Sequence, residues 1–231
     1  MKLAIMQPYI FPYIGYFQLI SAVDKFVILD DVNFIMRGWI NRNRILVNGN
    51  EHLFSIPVKG ASQNKLINEC EIADNNWKGK FLKTIEYSYG NSPYFIDCFT
   101  LLVSIINKEE TNLSKWLTFQ IRAICSYLSI ETEIIDSSQV YSNNHLKAQN
   151  KIIDICKQEN ALSYYNAIGG KNLYRTEDFM KNNIELRFLN TLPERYKQSI
   201  NEFVPFLSII DVMMFNSKRE ISNLLKKYEL I

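Results

Sequence analysis

The stretch KLAIMQPYIFPYIGYFQLISAVDKFVILDD, Lys2 to Asp31, decides the fold. "KLAIM" is an apolar run broken at Gln7-Pro8, where proline removes a backbone donor, so it predicts a short strand that stops abruptly. In "YFQLISAVD", Phe17, Ile20 and Val23 fall at helical spacing. "KFVILDD" is a continuous apolar strand closed by two acids. Strand, loop, helix and strand in so short a span form a βαβ unit, which implies a parallel pair of strands buried on both faces.

Working outward, "NRNRILVNGNEHLFSIPV" predicts a hairpin around Asn48-Gly49. "NNWKGKFLKTIEYSYG" predicts a helix capped by Asn75 or Asn76 and stopped near Gly90. Two more helices follow between Pro93 and Leu128, joined by "NKEETNLS". "TEIIDSS" is a strand, and "NHLKAQNKIIDICKQEN" an amphipathic helix with Ile152, Ile153 and Cys156 inward. "LSYYNAIGG" and "KNLYRTEDFMKNN" give a strand, a glycine turn and a helix. "IELRFLN" is expected as the last strand, before terminal helices in "FLSIIDVMMFNSKREISNLLKKYEL". The alternation predicts one α/β domain over residues 1–231 with a mostly parallel, Rossmann-like sheet. It carries a helical insert at about 75–130 and a C-terminal helical part at about 193–231.

Composition narrows the function classes. The 231 residues carry 26 basic and 24 acidic side chains and are 47% hydrophobic, which fits a globular chain rather than a disordered one. A net charge of +2 gives no electrostatic reason to expect nucleic acid or a membrane surface. Lys2 and the run after it imitate a targeting signal, but Gln7, Pro8 and Pro12 interrupt it. Asp24 and Lys25 arrive before a run of about eighteen apolar residues is complete, so no transmembrane segment is expected. The four cysteines, Cys70, Cys98, Cys125 and Cys156, are widely spaced and read as buried reduced thiols of a cytoplasmic protein. The two histidines, His52 and His145, have no Cys or His partner at ligand spacing, so no protein-built metal site is expected.

In open parallel sheets, ligands bind beyond the carboxyl ends of the strands. Three polar clusters are expected there: Gln7 with "PYIFPYIGY", "DDVNF" with Asp31 and Asn33, and "AIGGKN" with Gly170 and Lys171. Gly15 lets a backbone approach a ligand, and the helix after it offers N–H groups to an anion. Tyr9, Phe11, Tyr13 and Tyr16 suit a site wall or an aromatic core. Strand alternation turns only one of Asp30 and Asp31 toward a site, to act as a base or hold a cation. In "RGWINRNRI", Arg42 suits a phosphate or carboxylate, with Trp39 stacking on a base or sugar beside Asn41. Lys59 adds positive charge. "RYKQ" supplies Gln198, and Asp211 needs a buried partner, for which Ser208 is the nearest candidate.

The chain resembles the WbqC-like proteins over nearly its whole length. The resemblance rests on "QPYIFPYIGYF", "DKFVILDDVNF", "WINRNRI", "NNWKGKFLKTIEYSYGNSPYF", "RYKQ" with "EFVPFLSIIDVMMFN", and "LLKKYEL". It implies a part in bacterial surface polysaccharide (O-antigen) synthesis and amino-sugar or nucleotide-sugar chemistry. The opening is also similar to the HIGH-motif nucleotidyltransferases, with Tyr13 and Tyr16 at the two histidine positions around Gly15. That likeness implies a nucleotidyltransferase-like sheet and a nucleotide-binding turn, with Lys171 standing for the missing lysine loop. The family context, with a loop suited to a sugar-nucleotide or ATP, leads to the expectation of an enzyme for acyl or aminoacyl transfer to the amine of a nucleotide-linked amino sugar. The donor is activated by ATP with magnesium or borne on a carrier, and Asp31 or His145 is the base. The alternatives are a non-catalytic scaffold that binds the nucleotide sugar, and a nucleotidyltransferase.

Overall fold

The computed structural model describes residues 1–74, 76–199 and 202–231. Its centre is a six-stranded sheet, built from β1 (Lys2–Met6), β2 (Lys25–Ile28), β7 (Glu133–Ile135), β8 (Ser163–Ala167), β9 (Glu185–Thr191) and β10 (Tyr228–Leu230). The strand order is β10-β9-β8-β1-β2-β7. All neighbours are parallel except β10 on β9, where Tyr228 faces Thr191. From β1 the chain steps outward to β2 and β7, then returns to the other side of β1 for β8 and β9. That reversal is the Rossmann-like switch point, and it falls between β1 and β8.

Alternation along the strands sorts the core into two. Leu3, Ile5, Val27, Tyr164, Leu186 and Phe188 face one buried cluster, which α5 (Ala148–Gln158) and α6 (Thr176–Met180) complete. Ala4, Phe26, Ile28, Tyr165 and Leu189 face the larger one, covered by α1 (Ile14–Ser21), α2 (Trp77–Tyr89), α3 (Phe95–Ile106), α4 (Leu113–Tyr127), α7 (Ile209–Phe215) and α8 (Lys218–Leu224). Helices on both faces explain why these strands read as continuous apolar runs. Among the described residues no helix is long and apolar enough to cross a membrane. All four cysteines are free and buried, and burial pushes Cys98, Cys125 and Cys156 up to about 12.

The predicted hairpin is β3 (Arg42–Val47) with β4 (Asn50–Ser55); Asn48 and Gly49 take positive φ at its turn, as two-residue hairpin loops require. A second small ribbon joins β5 (Val58–Lys59) to β6 (Glu71–Ile72). Asn76 stands at the start of α2, and its alternative as cap, Asn75, lies outside the described residues.

Two expectations need correction. "IELRFLN" is not the last strand, because the chain's final residues pair antiparallel with it as β10. Three residues are too few to display alternation, so nothing in "YEL" announces a strand. "IGG" is not a glycine turn either: Ile168–Leu173 is a 3-10 helix, and neither glycine takes positive φ. Gly170 is glycine for space, since a Cβ there meets Asn166 Nδ2 at 2.8 Å.

Candidate functional site

The segment "QPYIFPYIGY" leaves the carboxyl end of β1 and is pinned residue by residue. Phe11 sits at φ 39°, where a bulky side chain is strained. Three buried side chains hold it there. Phe11 N donates to Gln120 Oε1 at 2.7 Å, and its carbonyl accepts from Asn43 Nδ2 at 2.6 Å and Ser208 Oγ at 2.8 Å. Pro12 O accepts from Ile209 N, and Tyr13 N donates to Tyr9 Oη at 3.1 Å. The Phe11 ring stacks on Phe81 with centroids 5.6 Å apart. Strained residues of this kind persist where the surroundings over-determine them, as at binding sites.

This pinning divides the aromatics. Phe11, Tyr16 and Phe17 belong to the core, whereas Tyr9 and Tyr13 floor a cleft of about 230 Å³ with Trp39, Asn43, Arg44 and Phe206. Trp39 and Phe206 are each 49% exposed and border the same cleft, so a ligand entering it would cover both rings. Phe206 packs edge-on to Tyr13 at 6.0 Å. Both neighbouring arginines reach Trp39: the guanidinium of Arg44 lies 5.4 Å from its ring centroid and that of Arg42 5.9 Å. Glu51, across the hairpin, is ion-paired with Arg44. Arg42 has no acidic partner among the described residues, and its Nε donates to Gly38 O at 2.8 Å. The rim is therefore aromatic and cationic, the chemistry that takes a flat or ring-shaped anion. Wider hollows of about 560, 530 and 420 Å³ lie around Lys226, Glu109 and Arg122, and none of the three brings an arginine to an exposed aromatic ring.

The other expected residues fall elsewhere. Tyr16 is buried and donates to Gln7 O at 3.1 Å. Gly15 borders no open space, since a Cβ there lies 2.3 Å from both Thr191 Oγ1 and the Tyr13 ring. The turn at the HIGH-motif position is thus filled by side chains and does not fit a nucleotide phosphate. Asn41 Nδ2 donates to Ile56 O, Asn33 Nδ2 to Gln63 O, and Lys59 pairs with Glu71 at the surface, so none of the three lines the cleft. Gln7 and Gly170 flank the switch point, with Lys171 exposed beside them. His145 is exposed, in the loop before α5.

Asp30 and Asp31 do not divide between two faces. β2 ends at Ile28, so both lie in the loop beyond it and both are buried. Asp31 Oδ2 pairs with Lys151 Nζ at 2.6 Å, both side chains nearly sealed, and Asp31 Oδ1 accepts from Ser138 Oγ. With both oxygens engaged, Asp31 suits a fixed buried charge better than a proton carrier. Asp30 accepts from Ser114 Oγ at 2.7 Å, Ser137 Oγ at 2.6 Å and Ser138 N at 3.2 Å. Burial raises its carboxyl, and the hydrogen bonds from Ser137 and Ser114 offset part of that. The folded state therefore holds the Asp30 proton more tightly than the unfolded chain does. Its stabilisation is present at low pH and is lost as pH rises through and above the ordinary aspartate range. Asp30→Asn keeps the shape and removes that contribution. Urea midpoints measured against pH should fall less steeply for the variant than for the parent chain, and an unchanged slope would refute the assignment.

Gln198 is not a ligand-facing residue. Asp211, fully buried, accepts from Tyr196 Oη at 2.7 Å, Gln198 Nε2 at 2.9 Å and Tyr89 Oη at 3.0 Å. Ser208 is not its partner; it caps α7 through Ile210 N. Gln198 also grips Val204 N and O, while Tyr89 Oη accepts from Leu46 N. One carboxylate thereby ties the segment carrying Phe206 to the strand carrying Arg44, the two sides of the cleft.

These features define a Rossmann-like α/β protein with an aromatic, arginine-rimmed cleft built on the connection that follows its first strand. Comparison with known proteins places it more narrowly. The model of the WbqC-like protein family matches residues 7–223, a span that holds every residue of the cleft, and the chain belongs to that family. It is 31% identical over 229 residues to Uncharacterized protein Rv1507c of Mycobacterium tuberculosis, covering 97% of each chain. No solved structure matches it.

Proposed function

We propose that this protein binds a nucleotide-linked amino sugar in the Trp39–Phe206 cleft and acylates or aminoacylates its amine, as a step in bacterial surface polysaccharide synthesis. The observation that carries the binding is the pair of half-exposed rings over a tyrosine floor, with two guanidinium groups against Trp39. A sugar or base stacks on Trp39, and the diphosphate meets Arg42 and Arg44. The cleft is smaller than a whole nucleotide sugar, so it takes one ring and leaves the rest of the ligand along the cationic rim.

In the reaction the neutral sugar amine attacks the acyl carbonyl. A C–N bond forms, the bond from that carbon to its oxygen or sulfur leaving group breaks, and the leaving group departs with the electron pair. The proton released from nitrogen passes to a carboxylate, for which Glu51, the ion-pair partner of the cleft residue Arg44, replaces Asp31 and His145 in this reading. The filled Gly15 turn supports a donor that arrives already activated on a carrier.

Calorimetric titration with UDP- and dTDP-linked amino sugars tests the binding. Loss of one stacking ring is worth about 1–3 kcal/mol. Trp39→Ala is therefore expected to weaken binding roughly ten- to hundredfold with the fold intact. Equal affinity of Trp39→Ala and the parent chain for every such ligand would end the proposal. Glu51→Gln separates turnover from mere recognition: the enzyme reading expects bound ligand without acylated product.

A further inference from the structure

The net charge of +2 conceals a local one. Residues 32–66 carry five basic side chains, Arg37, Arg42, Arg44, Lys59 and Lys65, against one acidic one, Glu51. The whole chain has 26 basic against 24 acidic side chains, so the rest of the molecule is net negative. Arg44 is paired with Glu51 and Lys59 with Glu71, whereas Arg37, Arg42 and Lys65 have no acidic partner among the described residues.

The same segment holds four large apolar side chains that are about half exposed, Ile35, Met36, Trp39 and Leu53, and Phe206 joins them across the cleft. Contacts link them into one patch. A Cβ on Gly38 would lie 2.8 Å from Ile35 Cγ2, and Arg42 Nε donates to Gly38 O while its guanidinium lies against Trp39. Arg44, also against Trp39, is the cross-strand partner of Leu53, so those two share a face of the hairpin. Ile35 to Gly38 is a turn, closed by Gly38 N donating to Ile35 O at 3.0 Å, with Arg37 at φ 60°. Turns that face water favour Gly, Pro, Asn, Asp or Ser, but this one presents Ile35, Met36 and Arg37.

A contiguous exposed apolar patch marks a contact surface, and its charge and size decide the partner. A second copy of this chain meeting the patch face to face would set the unpaired arginines of both copies against each other. A stable protein interface takes about 20–30 residues a side, and this patch offers few apolar side chains. An anionic lipid surface suits both its sign and its size. Lipid phosphates pair with Arg37, Ile35 and Met36 enter the acyl boundary, and Trp39 lies at headgroup level.

We propose that the Ile35–Gly38 turn docks this protein on an anionic phospholipid bilayer, with the Trp39 cleft opening among the headgroups. The inference goes beyond the reaction proposed above and does not depend on which ligand the cleft takes.

Co-sedimentation of the full chain with vesicles tests it, using phosphatidylethanolamine with phosphatidylglycerol in one set and phosphatidylcholine alone in the other. Binding to the anionic set is expected to be at least about tenfold tighter and to weaken as sodium chloride is raised. Trp77 and Trp116 are buried, so a blue shift of tryptophan emission on binding reports Trp39. Ile35 and Met36 are half exposed, so the double variant Ile35→Ser with Met36→Ser should keep the parent's Tm and bind at least about tenfold more weakly. Arg37→Gln should cost about fivefold. Absence of binding to the anionic vesicles, or equal binding by the double variant, overturns the proposal. A dimer in light scattering that the double variant lacks also overturns it and gives the patch to a second copy. The same proteins are titrated with nucleotide amino sugars in the absence of vesicles. Sugar binding without vesicle binding defeats this inference alone, and vesicle binding without sugar binding defeats the reading of the Trp39 cleft alone.

Discussion

Lys151→Met is expected to lower stability by about 3–5 kcal/mol, because it strands the Asp31 carboxylate in a place water does not reach. The two side chains are only 5% and 1% exposed, so almost no solvent is available to take over from the lost ammonium. Set against a total of about 5–15 kcal/mol for an ordinary domain, that is enough to leave the variant partly unfolded. The control is Asp31→Leu combined with Lys151→Met. Replacing a whole buried pair by apolar residues of similar size is often close to neutral, so the double variant should regain much of the loss. Urea unfolding of the single and double variants measures both effects. A single-variant loss below about 1 kcal/mol would mean that the pair behaves as a surface ion pair.

Asp211→Ala is expected to be nearly as severe and to reach the ligand. It leaves the hydroxyls of Tyr89 and Tyr196 and the amide of Gln198 without their shared acceptor. Each stranded buried donor costs about 1–3 kcal/mol. The carboxylate also holds the two sides of the cleft in register, through Gln198 to Val204 and through Tyr89 to Leu46. Any Asp211→Ala protein that remains folded in the cold should therefore bind the nucleotide sugar more weakly than the parent chain. Asp211→Asn, which keeps one acceptor oxygen for Tyr196 and Gln198, should lose less of both stability and binding. Thermal unfolding and titration on the same preparations separate the two effects, and a destabilised variant with full affinity would show that the network braces the core only.

The parts of this fold legible in the sequence are those with local periodicity. Each strand and helix of the opening βαβ unit, the Asn48-Gly49 hairpin and each helix of the insert announces itself within about fifteen residues or fewer. β10 is not legible, because three residues at a sheet edge carry no period. Within the site, Trp39 and Tyr13 are named by the sequence because they stand in a conspicuously aromatic and basic setting. Arg44 was available by the same logic as Arg42, since residues two apart on a strand share a face. Lys151 also had a signal: it lies four residues before Ile155, on the buried side of α5, where a lone charge requires a partner. Phe206 had none, and although Asp211 is marked as a carboxylate that needs a buried partner, nothing in the sequence names Tyr89 or Tyr196 as that partner. Tyr89 and Asp211 are 122 positions apart, and only the folded chain brings them together. The HIGH-like turn misleads for a physical reason, namely that Gly15 makes room for its own neighbour Tyr13 and for Thr191 instead of for a ligand.

The most direct measurement of the central claim is a crystal structure of the protein with a dTDP- or UDP-linked amino sugar. The account predicts one ring of the ligand lying on Trp39, with Phe206 opposite and the phosphates against Arg42 and Arg44. Ligand density at the Gly15 turn or beside Asp31, with the Trp39 cleft vacant, would contradict it.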